Sequence, residues 1–182
     1  MHESFEGKTY AAYRFEDHQL ILEHVAKTHG EDTPWITVGH SFGALIAANL
    51  AGATIDETLP RQSALGLPSH AVLLSPPGVI PFAFETEAMK VLKSPTLLVT
   101  GTNDLVPTMI DNWEDHLELY KIAPTGLVTA LVFDDHDHYF NGLYGREVER
   151  GRTQADDDLI AAMTDFLNGR EIEAGTSYRT LR

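Results

Sequence analysis

Apolar residues fall in short blocks along this chain, and the blocks alternate between a helical period and an extended one. The first helical block is 15–29, where Ile21, Leu22, Val25 and Ala26 share a face and Gly30 supplies a stop. After a short loop, Glu31-Asp32-Thr33-Pro34, the β-branched run Trp35-Ile36-Thr37-Val38 predicts a strand. A small-residue apolar run over 42–51 predicts a helix behind it. Residues 52–69 read mostly as loop, with Pro60, Gly66 and Pro68 as breakers. A second strand is expected over 70–74, closed by Ser75-Pro76-Pro77-Gly78, a turn that no helix runs through. One short helix is expected near 85–92.

A third strand over 96–100 ends in Gly101-Thr102-Asn103-Asp104, and a helix over about 110–122 carries Trp113, Leu117 and Tyr120 on one side. The fourth strand, 128–133, runs into Asp134-Asp135-His136-Asp137-His138-Tyr139-Phe140. The last helix, 156–168, has an acidic first turn suited to the helix dipole and a stripe of Leu159, Ile160, Met163, Phe166 and Leu167; Gly169 ends it. The strands are continuous apolar runs rather than alternating ones, and helices separate them. That pattern predicts a mostly parallel sheet covered on both faces, a three-layer α/β/α fold in one domain over 1–182. Residues 1–14 read as an irregular arm, with 8–13 a strand or irregular, and 170–182 as a loose tail.

Composition narrows the functions. The chain has 182 residues, 43% hydrophobic and 22% charged, which is enough for a real core. Lys plus Arg is 13 and Asp plus Glu is 27, so the formal charge is −14. Such a surface repels phosphate backbones and anionic lipid, so neither nucleic acid nor a membrane surface is an expected partner. With no cysteine there is no disulfide framework, thiolate chemistry or Cys-ligated zinc, which suits a reducing compartment, and a cytoplasmic location is expected. No stretch approaches the roughly 20 apolar residues of a membrane span, and the start has neither a basic nor an apolar leader region.

The chemistry centres on Gly39-His40-Ser41-Phe42-Gly43. A Gly-x-Ser-x-Gly between a strand and a helix lifts the serine hydroxyl to the carboxyl edge of a sheet on a strained turn. The flanking glycines are expected to let strand and helix approach. The helix N-terminus, with the Phe42 backbone N–H, faces the space above Ser41. In a parallel sheet all strand carboxyl ends lie on one edge. Ser41 follows the first strand, Asp104 the third and His138 the fourth, so a nucleophile, a carboxylate and an imidazole reach the same edge. Serine needs a base to take its proton, and the base needs a carboxylate to fix its tautomer.

Each of these residues has a plainer reading. Asp104 also fits a simple turn cap. His136 competes with His138 as base. The Asp134–His138 cluster has metal-ligand types, but ligands so close in sequence seldom converge on one ion, and no metal is expected. His40 sits with Phe42 on the oxyanion and substrate side, packing of the elbow being its first reading. His18, His24, His29, His70 and His116 show no partner pattern and read as ordinary helix, surface or core histidines.

Three segments carry a family likeness: Gly39-His40-Ser41-Phe42-Gly43; Pro95 through Pro107, with Gly101-Thr102-Asn103-Asp104 at its centre; and Asp137-His138-Tyr139-Phe140. In this order the chain resembles an α/β-hydrolase of the small, lid-poor kind, near the dienelactone-hydrolase and short-chain esterase branches. The likeness covers roughly residues 15–168. It implies Ser41 as nucleophile, Asp104 as acid, His138 as base, a small ester substrate and no cofactor. It also implies a truncated fold. Only 34 residues precede the elbow strand, too few for the usual four strands, and no His-Gly-Gly loop supplies a second oxyanion donor. A reduced form, a fragment or one part of an oligomer are the expectations, with a homodimer through the exposed edge of the elbow strand. The rival function is a hydrolase-like remnant kept for binding or assembly. A lyase, peroxidase or thioesterase on the same triad is the rival chemistry.

Overall fold

The computed structural model describes residues 7–54, 65–78, 87–140 and 153–181. Five strands form one sheet in chain order: β1 (Ile36–His40), β2 (His70–Leu74), β3 (Thr96–Asn103), β4 (Val128–Asp137) and β5 (Tyr178–Leu181). The first four run parallel, and β5 pairs antiparallel with β4. Their unbroken apolar runs match burial on both faces: Val72, Leu73, Leu97, Leu98, Val99, Leu131 and Val132 are all fully enclosed.

Every step across the parallel strands goes the same way. Right-handed crossovers then place the connections on one face. That face holds α2 (Phe42–Leu50), a 3-10 turn at Ala88–Val91, and a 3-10 turn at Trp113–Leu117 that runs into α3 (Glu118–Ile122). They pack on Leu73, Leu98, Ala130 and Val132. The opposite face, with Val72, Leu97, Val99, Leu131 and Phe133, is covered by α4 (Gln154–Leu167). The first helix, α1 (Gly7–His29), packs against Ile46 and Leu50 of α2. The three layers expected from the sequence are therefore present.

Several boundaries and stripes differ from expectation. Residues 7–14, expected as an irregular arm, are helical and extend α1. Its buried stripe is Phe15, Leu22 and Ala26, while Ile21 is exposed, because it lies 100° round the axis from Leu22. On α4, Ile160 is likewise exposed and Ala162 is buried in its place. That helix starts at a capping box in which Thr153 N–H donates to Asp156 Oδ2 at 2.7 Å and Thr153 Oγ1 accepts from Asp156 N. The helix expected over 110–122 is two pieces, opened by Asn112 Oδ1 accepting from Glu114 N. Residues 55–64 of the expected 52–69 loop and 85–86 of the expected 85–92 helix lie outside the described residues; the rest of the second is a 3-10 turn at Ala88–Val91 rather than an α-helix.

The tail is not loose. Asp158 Oδ2 on α4 accepts from the backbone N–H groups of Thr176 and Ser177, at 3.1 and 3.0 Å. The Tyr178 ring packs at a tilt against Phe133 and its hydroxyl donates to the Glu173 carbonyl, and the chain then pairs with β4. No helix among the described residues is long and apolar enough to cross a membrane.

Candidate active site

Ser41 joins β1 to α2 with φ 51° and ψ −121°, a backbone conformation that costs a non-glycine residue free energy. The turn is fixed on both sides: Ser41 N–H donates to Leu74 O, and Ala44 N–H donates to Ser41 O. The two elbow glycines are not equivalent. A Cβ on Gly39 would lie 2.1 Å from the Gly43 carbonyl oxygen, whereas one on Gly43 would meet open space. Only Gly39 is required for strand and helix to approach.

At the ends of β3 and β4 the pairing is irregular. Gly101 pairs with Phe133 but Asn103 pairs with Asp137, so β4 carries a bulge, with Asp135 at φ 58°. A Cβ on Gly101 would lie 2.2 Å from the His136 carbonyl oxygen, so glycine lets the bulge close over β3. Residues two apart on a regular strand share a face. The bulge separates the two histidines instead. His136 Nδ1 turns back to its own Asp134 carbonyl at 3.0 Å, beside the Phe133 ring. His138 turns the other way. Its Nε2 is 2.9 Å from Ser41 Oγ, and its Nδ1 is 2.8 Å from Asp104 Oδ1.

Asp104 follows β3 directly and is fully buried. Its Oδ2 accepts from Thr100 Oγ1 at 2.8 Å. Burial alone would push this carboxyl up. Hydrogen bonds from His116 and His138, together with the charge of His116, outweigh that and hold it well below the ordinary carboxylate range.

His116 is the residue that sequence reasoning passed over. It is fully buried, with Nδ1 on the Pro76 carbonyl and Nε2 3.0 Å from Asp104 Oδ1 and 3.1 Å from the Asp104 carbonyl. The available signal was its place on the apolar side of the 110–122 segment, three residues from Trp113 and four from Tyr120. A histidine there needs a buried partner. His40, the last residue of β1, directs Nε2 to the His138 carbonyl at 2.7 Å and packs beside the His138, Tyr139 and Phe140 rings. It holds the His138 loop. Desolvation lowers the His40 pKa against the raising effect of that hydrogen bond.

Asp104, His116 and His138 offer donor atoms within 4.8 Å of one another, the one such cluster among the described residues. The separations from Asp104 Oδ1, 2.8 and 3.0 Å, are those of shared protons. Ligands at ~2.0–2.1 Å around a tetrahedral ion would stand roughly 3.3 Å apart.

No family model and no curated protein matches the sequence. Solved structures do match the fold. The Pyrococcus furiosus esterase Pf2001 superposes with a TM-score of 0.57 at 17% identity, over 86% of this chain and 62% of that one. Thermogutta terrifontis esterase 2, in a form phosphoramylated by tabun, gives 0.60 at 17% identity, over 92% of this chain and 66% of that one. The fold is therefore α/β-hydrolase-like. The chain spans just under two thirds of the length of either esterase.

Proposed function

We propose that the chain is a serine hydrolase that cleaves small carboxylic esters through an acyl-enzyme. The observation that carries this reading is the unbroken line Ser41 Oγ, His138 Nε2, His138 Nδ1, Asp104 Oδ1, at 2.9 and 2.8 Å. Such spacing lets one imidazole accept the serine proton while its other N–H stays on a carboxylate.

Ser41 Oγ attacks the ester carbonyl carbon and its proton passes to His138 Nε2. The carbonyl electron pair moves onto oxygen, where the Phe42 N–H at the start of α2 is a donor. The carbon–oxygen bond to the alcohol then breaks, and the leaving alkoxide takes the proton from Nε2. Water repeats the attack on the acyl-enzyme, giving its proton to His138. The acid leaves and Ser41 recovers its hydrogen. Asp104 orients His138 throughout, and no metal or cofactor takes part. The esterases that share the fold support the choice of reaction, and the tabun adduct of one of them fits an activated nucleophile.

A p-nitrophenyl ester panel of graded chain length tests the reading, with Ser41→Ala as control and a fluorophosphonate probe beside it. Turnover and labelling that both vanish in the alanine variant are expected, and EDTA should leave them unchanged. A folded chain that neither turns over nor labels would be a binding or assembly module. The elbow strand edge carries a second part of the proposal, pairing with another copy of the chain.

A further inference from the structure

We propose that His116 is a buried imidazolium, a positioning residue that holds Asp104 in place behind His138. The inference deepens the hydrolase reading and rests on it for its meaning in catalysis, though not for its test.

The argument is one of donors and acceptors. His116 Nδ1 faces the Pro76 carbonyl oxygen, and Nε2 faces Asp104 Oδ1 at 3.0 Å and the Asp104 carbonyl oxygen at 3.1 Å. These partners only accept. A neutral imidazole carries one N–H, so one ring nitrogen would press its lone pair against an oxygen inside a fully buried site. Two N–H groups satisfy every contact. The direction of the His116 pKa agrees: burial lowers it, but the hydrogen bond and charge of Asp104 and the Pro76 carbonyl raise it further.

The surroundings are built for this contact. The turn after β2, Ser75-Pro76-Pro77-Gly78, brings the Pro76 carbonyl to the ring. A Cβ on Gly78 would lie 2.3 Å from the Asp115 carbonyl oxygen, so glycine allows the 3-10 turn carrying His116 to approach. The titratable groups facing His116 are Asp104 from the end of β3 and His138 from the end of β4. The His138 ring stacks 6.3 Å away at 24°. Glu114 and Asp115, on its own turn, are exposed.

The consequence is electrostatic. With Asp104 alone, a resting triad has one buried negative charge, which the base neutralises when it takes up a proton. Here His116 already neutralises Asp104. The carboxylate therefore keeps its charge in a fully buried site, and its Oδ1 is held between the two rings.

The test is ring-nitrogen NMR on protein labelled with ¹⁵N-histidine. In the wild type at about pH 7.5, both His116 nitrogens should report attached protons. A His116 nitrogen without a proton overturns the proposal, and this measurement needs no variant to fold. In folded His116→Gln the Nδ1–H signal of His138, which reports its hydrogen bond to Asp104, should shift in the same spectra. An unmoved signal means that His116 only packs. If the hydrolase reading holds, kcat falls in that variant while KM is kept. If that reading fails, turnover is absent while both NMR results still decide the role of His116.

Discussion

On the proposed mechanism Ser41, His138 and Asp104 act as a unit, so removing any one should cost most of the rate rather than a share of it. Ser41→Ala and His138→Ala are each expected to lower kcat by about 10⁴-fold or more, measured on the best p-nitrophenyl ester. His136→Ala should retain most activity, because its ring turns to its own Asp134 carbonyl. The reverse ranking would hand the role of base to His136. Buried as a pair, Asp104 and His116 also give stability a pH signature. The Asp104 carboxyl lies below its ordinary range, so its contribution is present above ~4 and is lost as pH falls through that region. The His116 imidazolium lies above its ordinary range, so its contribution is complete below ~6.5 and is lost as pH rises through its raised value. Thermal unfolding should show a plateau between ~4 and ~6.5 and a decline on the alkaline side, and His116→Gln should remove that alkaline decline.

That Ser41, Asp104 and His138 lie together was legible in the sequence because each follows a recognisable strand, and topology alone brings those strand ends to one edge. His116 was not, because its partners, the Pro76 carbonyl and Asp104, lie 40 and 12 residues away and no local pattern joins them. The choice between His136 and His138 had a similar limit. It depends on a bulge in β4, which Gly101 on the neighbouring strand permits.

At the level of elements, the elbow motif overstates its own symmetry. Gly39→Ala would drive a Cβ to 2.1 Å from the Gly43 carbonyl oxygen, so β1 and α2 would have to part. A loss of several kcal/mol, or no folded protein, is expected. Gly43→Ala meets open space within a helix, where alanine is favoured by roughly 0.5–1 kcal/mol. Urea unfolding of the two variants side by side measures the difference, and equal losses would refute it. The last strand depends on one side chain in α4. Hydrogen bonds from Gln154, then from Ser177 and Thr176, hold the Asp158 carboxyl below its ordinary range. Asp158→Ala should speed amide exchange in β5 while leaving β2 and β3 protected, because the turn at 176–177 loses its anchor. This strand was hidden in the sequence. Tyr178-Arg179-Thr180-Leu181 is four residues long with no apolar run, and its pairing with β4 is expected to depend on the Asp158 anchor rather than on its own propensity.

For the whole molecule, the topology that builds the site also leaves a side open. Because the strands follow in chain order, β1 stands at the edge, and no strand among the described residues pairs with its outer side. Val38 is in register with Val72 on the face that α4 covers, but no residue of β1 joins the cluster packed under α4. Ile36 and Val38 are therefore 45% and 49% exposed, on an edge that no described strand pairs with. A formal charge of −14 opposes self-association at long range, yet it acts over roughly 8–10 Å in salt, while an apolar edge strand pairs at contact distance. Association across a two-fold axis is the expected outcome, because the same edge on two copies can pair with itself. Static light scattering at micromolar concentration should give twice the 20.1 kDa chain mass, with more dimer as salt rises and screens the charge. Replacing both Ile36 and Val38 with lysine adds charge to the edge and to the exposed face without entering the interior face that Thr37 and Gly39 occupy. That variant should scatter as a monomer with its active site intact. A wild-type monomer at every salt concentration would mean that this edge stays unpaired in solution.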